Sequence, residues 1–227
     1  MKRDRTIRLV TFDLDGTMLD DEWAHAEANR RISERLGLDD TLLGKMTGYP
    51  VRLRWRELCR AAGVEADIES LAQEHFRITA ELVEEAGVPA APGLMATMQA
   101  LKEQGYIVAV VSSSDGPFVK AMTDRLGVSA YIDHFVSQEQ VEELKPAPDI
   151  YWKAQGLAGV RPEQSIGIED SEPGCLALRR AGMYTIGFRD EGRNQQVLED
   201  VDTWIDRMEE LFPILERLQG RDLVSTP

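Results

Sequence analysis

The chain has 227 residues, with 26 lysines and arginines against 40 aspartates and glutamates, which gives a formal net charge of −14 at pH 7. Over most of its surface such a protein repels nucleic acids and anionic membranes, and no apolar run approaches the ~20 residues that a membrane helix needs. These properties exclude nucleic acid and membrane as expected partners, and they predict one α/β core with a smaller added module.

The first predicted element is a buried strand over residues 7–12, because this run is apolar and rich in β-branched side chains. Asp13 and Asp15 follow, and Gly16 permits a sharp turn that lets both carboxylates converge on one ligand. Two close carboxylates repel each other unless a cation lies between them, and hard oxygen ligands suit Mg²⁺ better than zinc or copper. Taken alone, the pair is equally compatible with an ordinary polar turn.

Residues 20–87 form a block in which helical periodicity replaces strand signals. Apolar side chains recur at every fourth position up to Gly37, which suits the left-handed end of a helix. A second apolar stripe covers residues 68–83, and Gly87 ends it. The pattern predicts an all-helical insertion.

From Pro92 onward, helices and strands alternate. The pattern predicts helices over residues 94–104, 118–126, 149–157 and 174–181, strands over 106–111, 135–136, 165–168 and 184–188, and a short strand and a terminal helix within 201–218. Such alternation indicates a parallel sheet covered on both faces, with ligands beyond the carboxyl ends of the strands.

Three further polar positions follow in order along this region. Ser112 and Ser113 follow a predicted strand, where hydroxyls and a helix N-terminus can bind phosphate, although serine-rich turns also cap helices without a ligand. Lys145 lies in an extended loop between prolines and acidic residues, and a surface lysine is its alternative interpretation. Glu169 and Asp170 end another strand, where adjacent acids suit a magnesium site.

These segments, DLDGT at 13–17, the serine at 112, the lysine at 145 and GIEDS at 167–171, resemble the four motifs of the haloacid dehalogenase (HAD) superfamily of Mg²⁺-dependent phosphotransferases. The resemblance spans residues 8–211 approximately and is to the group of β-phosphoglucomutase-like enzymes and sugar-phosphate phosphatases. It implies a doubly wound parallel-sheet (Rossmann-like) core over residues 1–19 and 89–227, with an inserted all-helical cap domain over 20–88.

The motifs imply a role for each residue. Asp13 is the expected nucleophile and forms an aspartyl phosphate, while Asp15 protonates the leaving group and then activates water. Mg²⁺ is expected on the Asp13 carboxylate, the Asp15 backbone carbonyl and Asp170, with Glu169 orienting a coordinated water or making a second contact with the metal. Lys145 neutralises the transferring phosphate.

Acid catalysis by Asp15 implies a transiently raised pKa, since the unperturbed value for aspartate is about 3.9. Thr17 is expected to position Asp15 and, with Ser112 and Ser113, to donate to the phosphate.

Two cap residues are candidates for substrate binding. His25 lies where relatives often have a histidine near the substrate, and packing inside the cap is an equal alternative. Arg52 follows the expected substrate-specificity loop around Gly48, although an arginine on such a helix is also typical of a solvated face.

The expected function is therefore a Mg²⁺-dependent phosphatase of a small phosphorylated metabolite such as a sugar phosphate. A β-phosphoglucomutase-like transfer is the alternative, and it needs cationic groups for a second phosphate. Asp115 would repel that phosphate and Lys45 is the only lysine between residues 20 and 87, whereas Arg52 keeps the alternative open.

A non-catalytic phosphate-binding module is disfavoured, because no motif residue is missing. A haloacid dehalogenase or a phosphonoacetaldehyde hydrolase would lack the carboxylate of Asp15.

The expected setting is the reduced cytoplasm. The basic N-terminus leads directly into the first strand without a signal-peptide core, and Cys59 and Cys175 do not form a disulfide framework. Both cysteines are expected to be buried, and the expected assembly is a monomer or a weak homodimer.

Overall fold

The structure is a computed structural model that describes residues 6–39, 41, 50–190 and 201–220. Within these residues the core is a parallel sheet of six strands in the order β3-β2-β1-β4-β5-β6. The strands are β1 (Leu9–Phe12), β2 (Ile107–Val111), β3 (His134–Val136), β4 (Ser165–Glu169), β5 (Tyr184–Phe188) and β6 (Thr203–Ile205). This order confirms the predicted doubly wound, Rossmann-like core.

The central strand β1 lies between β2 and β4 and is paired with both. All of its residues are buried, as expected for a parallel strand covered on both faces. Phe12 pairs with Val110 of β2 and with Ile168 of β4. These three strands therefore end at the same edge, so that the polar residues after them converge.

In the described part of the chain, five helices cover the sheet: α4 (Leu94–Glu103), α5 (Gly116–Arg125), α6 (Asp149–Ala158), α7 (Glu172–Arg180) and α8 (Leu211–Leu218). Most of these helices' ends lie within two residues of the predicted positions. Two of them start at side-chain caps, since Asp115 accepts from Phe118 N and Ser171 accepts from Gly174 N. Both caps lie at the carboxyl edge of the sheet.

Between β1 and α4 the described residues form three further helices, α1 (Glu22–Leu36), α2 (Val51–Ala62) and α3 (Ile68–Ala86). Both α1 and α2 pack on α3. Each ends at a glycine in the left-handed conformation, which includes the predicted stops at Gly37 and Gly87. The predicted all-helical insertion is thus confirmed for the described residues.

The domain boundaries at residues 20 and 88 stay a prediction. The two chain connections of the insertion lie side by side, because Leu19 forms an isolated bridge with Ala90. The insertion also contacts the core, since the ring of Phe76 in α3 lies 5.2 Å from that of Phe118 in α5.

Both cysteines are buried and free, as expected. Among the described helices, none combines the length and the apolar character needed to cross a membrane.

Candidate active site

Asp13 and Lys145 meet at the end of β1. The Asp13 backbone continues the sheet by donating to Ile168 O at 3.0 Å, which fixes where its side chain begins. Lys145 Nζ forms an ion pair with the Asp13 carboxylate and donates to Val111 O at 3.2 Å. Asp13 and Lys145 are only 6% and 5% exposed. The predicted nucleophile thus has a buried cation beside it.

Glu169 holds Lys145 from the other side. Its Oε1 lies 2.6 Å from Lys145 Nζ and accepts from the Tyr151 hydroxyl at 2.6 Å, while its Oε2 accepts from Ser171 Oγ at 3.1 Å. Both oxygens therefore have partners in the protein. From the sequence we expected Glu169 to orient a metal-bound water, and we did not predict a role for Tyr151. The sequence feature that could have indicated Tyr151 is its place just after the Lys-Pro-x-Pro-Asp segment.

Asp13, Glu169 and Asp170 form a buried acidic cluster, with one ligand atom from each within 4.8 Å of the others. Burial raises the pKa of Asp13 and of Asp170 well above the usual range, and the charge of Glu169 raises both further. Buried carboxylates that repel each other in this way fit a hard divalent cation such as Mg²⁺.

Two residues of the first motif fit Asp170 into this cluster. Thr17 Oγ1 donates to Asp170 Oδ1 at 3.0 Å, so the hydroxyl orients Asp170, whereas the sequence predicted that it would position Asp15. A Cβ at Gly16 would lie 2.3 Å from Asp170 Oδ2. The glycine therefore leaves the space that the carboxylate occupies.

The Asp15 carboxylate contacts the loop after β2 and the cap. Its Oδ2 accepts from Ser112 Oγ at 3.0 Å and from Ser114 Oγ at 2.7 Å, and its Oδ1 lies 3.5 Å from His25 Nε2. Burial by itself would raise the pKa of Asp15, but the contacts with His25 and Ser114 lower it to about 2. The raised pKa that acid catalysis requires is thus not present in this arrangement.

His25 lies beside Asp15 and also stacks on His75 inside the cap. Burial lowers its pKa, but the neighbouring Asp15 and Asp21 raise it to about 10. The stacked ring of His75 is neutral, because burial and the charge of His25 lower its pKa well below the usual value. The protonated His25 Nδ1 therefore donates to His75 Nε2 at 2.8 Å.

Ser113 and Arg52 are the remaining predicted site residues. The Ser113 hydroxyl is buried without a hydrogen-bond partner. Arg52 makes two hydrogen bonds to Glu69, of 2.7 and 2.6 Å. These bonds raise the pKa of Arg52, and the charges of the core carboxylates Glu139 and Asp115 raise it further. Lys45 and most of the expected specificity loop lie outside the described residues.

A sequence model of the haloacid dehalogenase-like hydrolases matches residues 10–188. Hexitol phosphatase A of Escherichia coli is 30% identical over 203 residues, which cover 88% of this chain and 91% of that protein. The phosphorylated carbohydrates phosphatase of Thermotoga maritima is 30% identical over 183 residues, which cover 78% of this chain and 82% of that protein. The crystal structure of β-phosphoglucomutase from Clostridium difficile aligns with a TM-score of 0.76 over 95% of this chain and 98% of that one; at 21% identity this likeness shows the fold alone.

Proposed function

The chain belongs to the haloacid dehalogenase-like hydrolases, and on that premise we propose that it is a Mg²⁺-dependent phosphatase that hydrolyses small phosphorylated sugars through an aspartyl phosphate. The observation that carries the proposal is the buried Asp13 at the end of the central strand, paired with Lys145 and followed two residues later by Asp15. This arrangement provides a nucleophile, a cation for the transferring phosphoryl group and an acid or base.

Asp13 and Asp170 are the residues that would hold Mg²⁺, together with the Asp15 backbone carbonyl. When bound, the ion neutralises charge on the phosphoryl oxygens. Glu169 is better suited to holding Lys145, because its two oxygens already accept from protein donors.

In the first half of the reaction an Asp13 oxygen bonds to phosphorus as the ester P–O bond breaks, and Asp15 gives a proton to the leaving alkoxide. In the second half Asp15 takes a proton from water, whose oxygen bonds to phosphorus as the bond to Asp13 breaks and phosphate leaves. Because Asp15 is ionised beside a protonated His25, the first proton is held by the pair. We infer that His25 Nε2 supplies it to Asp15 when substrate enters.

The surroundings of Arg52 support a sugar rather than a second phosphate as the distal part of the substrate. Carboxylates accept hydrogen bonds from sugar hydroxyls but repel phosphates. Glu69 occupies two donors of the guanidinium, and Asp115 and Glu139 interact with it from the core. This acidic setting favours a phosphatase over a mutase that must bind a bisphosphate, and the names of the relatives agree with a carbohydrate substrate.

The test is phosphate release from hexose, pentose and hexitol phosphates with Mg²⁺ and with EDTA. The wild type should release phosphate only with Mg²⁺. Asp13→Asn should abolish turnover because the amide cannot attack phosphorus, and mass spectrometry should exclude its deamidation. Asp124→Asn, the same change at an exposed residue of α5, should leave turnover intact. Wild-type rates in Asp13→Asn would contradict the mechanism.

The mutase alternative has its own assay. With β-glucose 1-phosphate and a bisphosphate primer, we expect phosphate release without formation of glucose 6-phosphate. Glucose 6-phosphate formed well faster than phosphate would assign the protein as a mutase.

A further inference from the structure

A second cluster of side chains that can bind a metal lies on the cap side of Asp15. It consists of Asp15, Asp21 and His25, with one ligand atom from each within 4.8 Å of the others. The facing atoms are Asp15 Oδ1, Asp21 Oδ2 and His25 Nε2. Each is buried, and none has a hydrogen-bond partner among the described residues. Asp21 is fully buried, and its other oxygen accepts from Gly16 N at 3.3 Å. Its unpartnered Oδ2 is therefore held toward the centre of the cluster.

The spacing of these atoms fits ligands of one ion better than it fits hydrogen bonds. His25 Nε2 lies 3.5 Å from Asp15 Oδ1 and 3.7 Å from Asp21 Oδ2. A charge-assisted N–H···O bond is about 2.7–2.9 Å long. Ligands bound at about 2.0–2.1 Å in a tetrahedral geometry lie about 3.4 Å from one another.

His75 supplies the outer contact that a metal-binding histidine usually has. His25 Nδ1 lies 2.8 Å from His75 Nε2, and the two rings stack with centroids 5.1 Å apart. A hydrogen bond at Nδ1 orients the ring and turns Nε2 toward the carboxylates. His75 itself is 1% exposed, so its position is fixed by the packing of α3.

We propose that Asp15, Asp21 and His25 form a second metal site, separate from Asp13 and Asp170, that binds Zn²⁺ or a similar ion. One imidazole and two carboxylates suit zinc, with a fourth position for water, whereas Mg²⁺ prefers a set of oxygen ligands. A metal ion there occupies Asp15 Oδ1 and ties α1 of the cap to the loop after β1.

A consequence rests on the proposed function. Asp15 cannot pass protons while its carboxylate binds a metal ion, so Zn²⁺ should inhibit phosphate release. The site would then act as an inhibitory switch next to the catalytic one.

Metal binding is tested on the full chain in excess Mg²⁺, with Co²⁺ as a spectroscopic probe and Zn²⁺ in calorimetric titrations. Wild type and Asp170→Asn should show the strong visible bands of tetrahedral Co²⁺ and bind Zn²⁺. Asp21→Asn and His25→Gln should lose both signals, and His75→Gln should weaken binding about 10–100-fold. His134→Gln is the control for a histidine outside the cluster and should bind as the wild type does.

Circular dichroism melting establishes that each variant is folded. Unchanged Co²⁺ bands in folded Asp21→Asn and His25→Gln, or no Zn²⁺ binding by the wild type, would overturn the second site. Inhibition is measured as the ratio of rates with and without Zn²⁺ within each variant, and it should be weaker in Asp21→Asn. Binding without phosphatase activity would refute the proposed function alone, whereas activity without binding would refute this site alone.

Discussion

Replacement of Lys145 by methionine removes a buried ammonium group that pairs with Asp13 and Glu169. The lysine side chain is 3% exposed, so water does not replace the lost partner. Removal of one partner from a buried ion pair costs about 3–5 kcal/mol. In a chain of this size each kcal/mol lowers the melting temperature by about 2–4 °C, so metal-free Lys145→Met should melt about 6–20 °C below the wild type.

Mg²⁺ should restore part of this loss, because it would neutralise Asp13, one of the two carboxylates that Lys145 pairs with. The measurement is calorimetric melting of both proteins in EDTA and in saturating Mg²⁺, and Mg²⁺ should raise the melting temperature more in Lys145→Met. Turnover should fall by roughly 10²–10³-fold, as for the loss of one charge-stabilising group. Lys153→Met, at an exposed lysine of α6, is the control and should change stability by less than about 0.5 kcal/mol.

The reasoning would be refuted if metal-free Lys145→Met melted within about 2 °C of the wild type, a difference of less than about 1 kcal/mol. An equal effect of Mg²⁺ on the two proteins would also refute it, since the ion and the lysine would then not share Asp13.

Three further predictions concern the neighbouring residues. Asp170→Ala should raise the Mg²⁺ concentration for half-maximal activity far more than Glu169→Gln does, and equal values would remove Asp170 from the metal. Gly16→Ala and Gly37→Ala should each cost about 1–3 kcal/mol in unfolding experiments because both glycines have positive φ. Only Gly16→Ala should also raise the Mg²⁺ concentration for half-maximal activity, since its Cβ would meet Asp170, whereas no described atom lies within 4 Å of a Cβ at Gly37. Burial and the charge of Asp15 raise the pKa of Asp21 from 3.8 to about 7 in the folded protein. The contribution of protonated Asp21 to the stability of the metal-free fold is therefore complete below about pH 4, and it is lost as the pH rises through about 7. The stability of the wild type relative to Asp21→Asn should therefore fall over that range in denaturant titrations, and a constant difference would contradict the assigned pKa.

The sequence by itself determined the elements and the edge of the sheet where the site lies. Apolar runs bounded by glycines mark the strands and helices, because burial and left-handed helix ends leave local patterns. The first motif follows β1 and the fourth follows β4, and parallel strands bring their carboxyl ends together. The convergence of Asp13 and Asp170 was therefore predictable from the order of the elements.

Only the tertiary structure decided which side chains pair within that edge. His25 and His75 belong to α1 and α3, and their contact depends on how the two helices are rotated against each other, which no local pattern records. The same packing brings His25 to Asp15 and lowers the pKa that catalysis was expected to raise. A carboxylate's pKa depends on burial and on charges a few ångströms away, and those distances exist only once elements remote in sequence have packed.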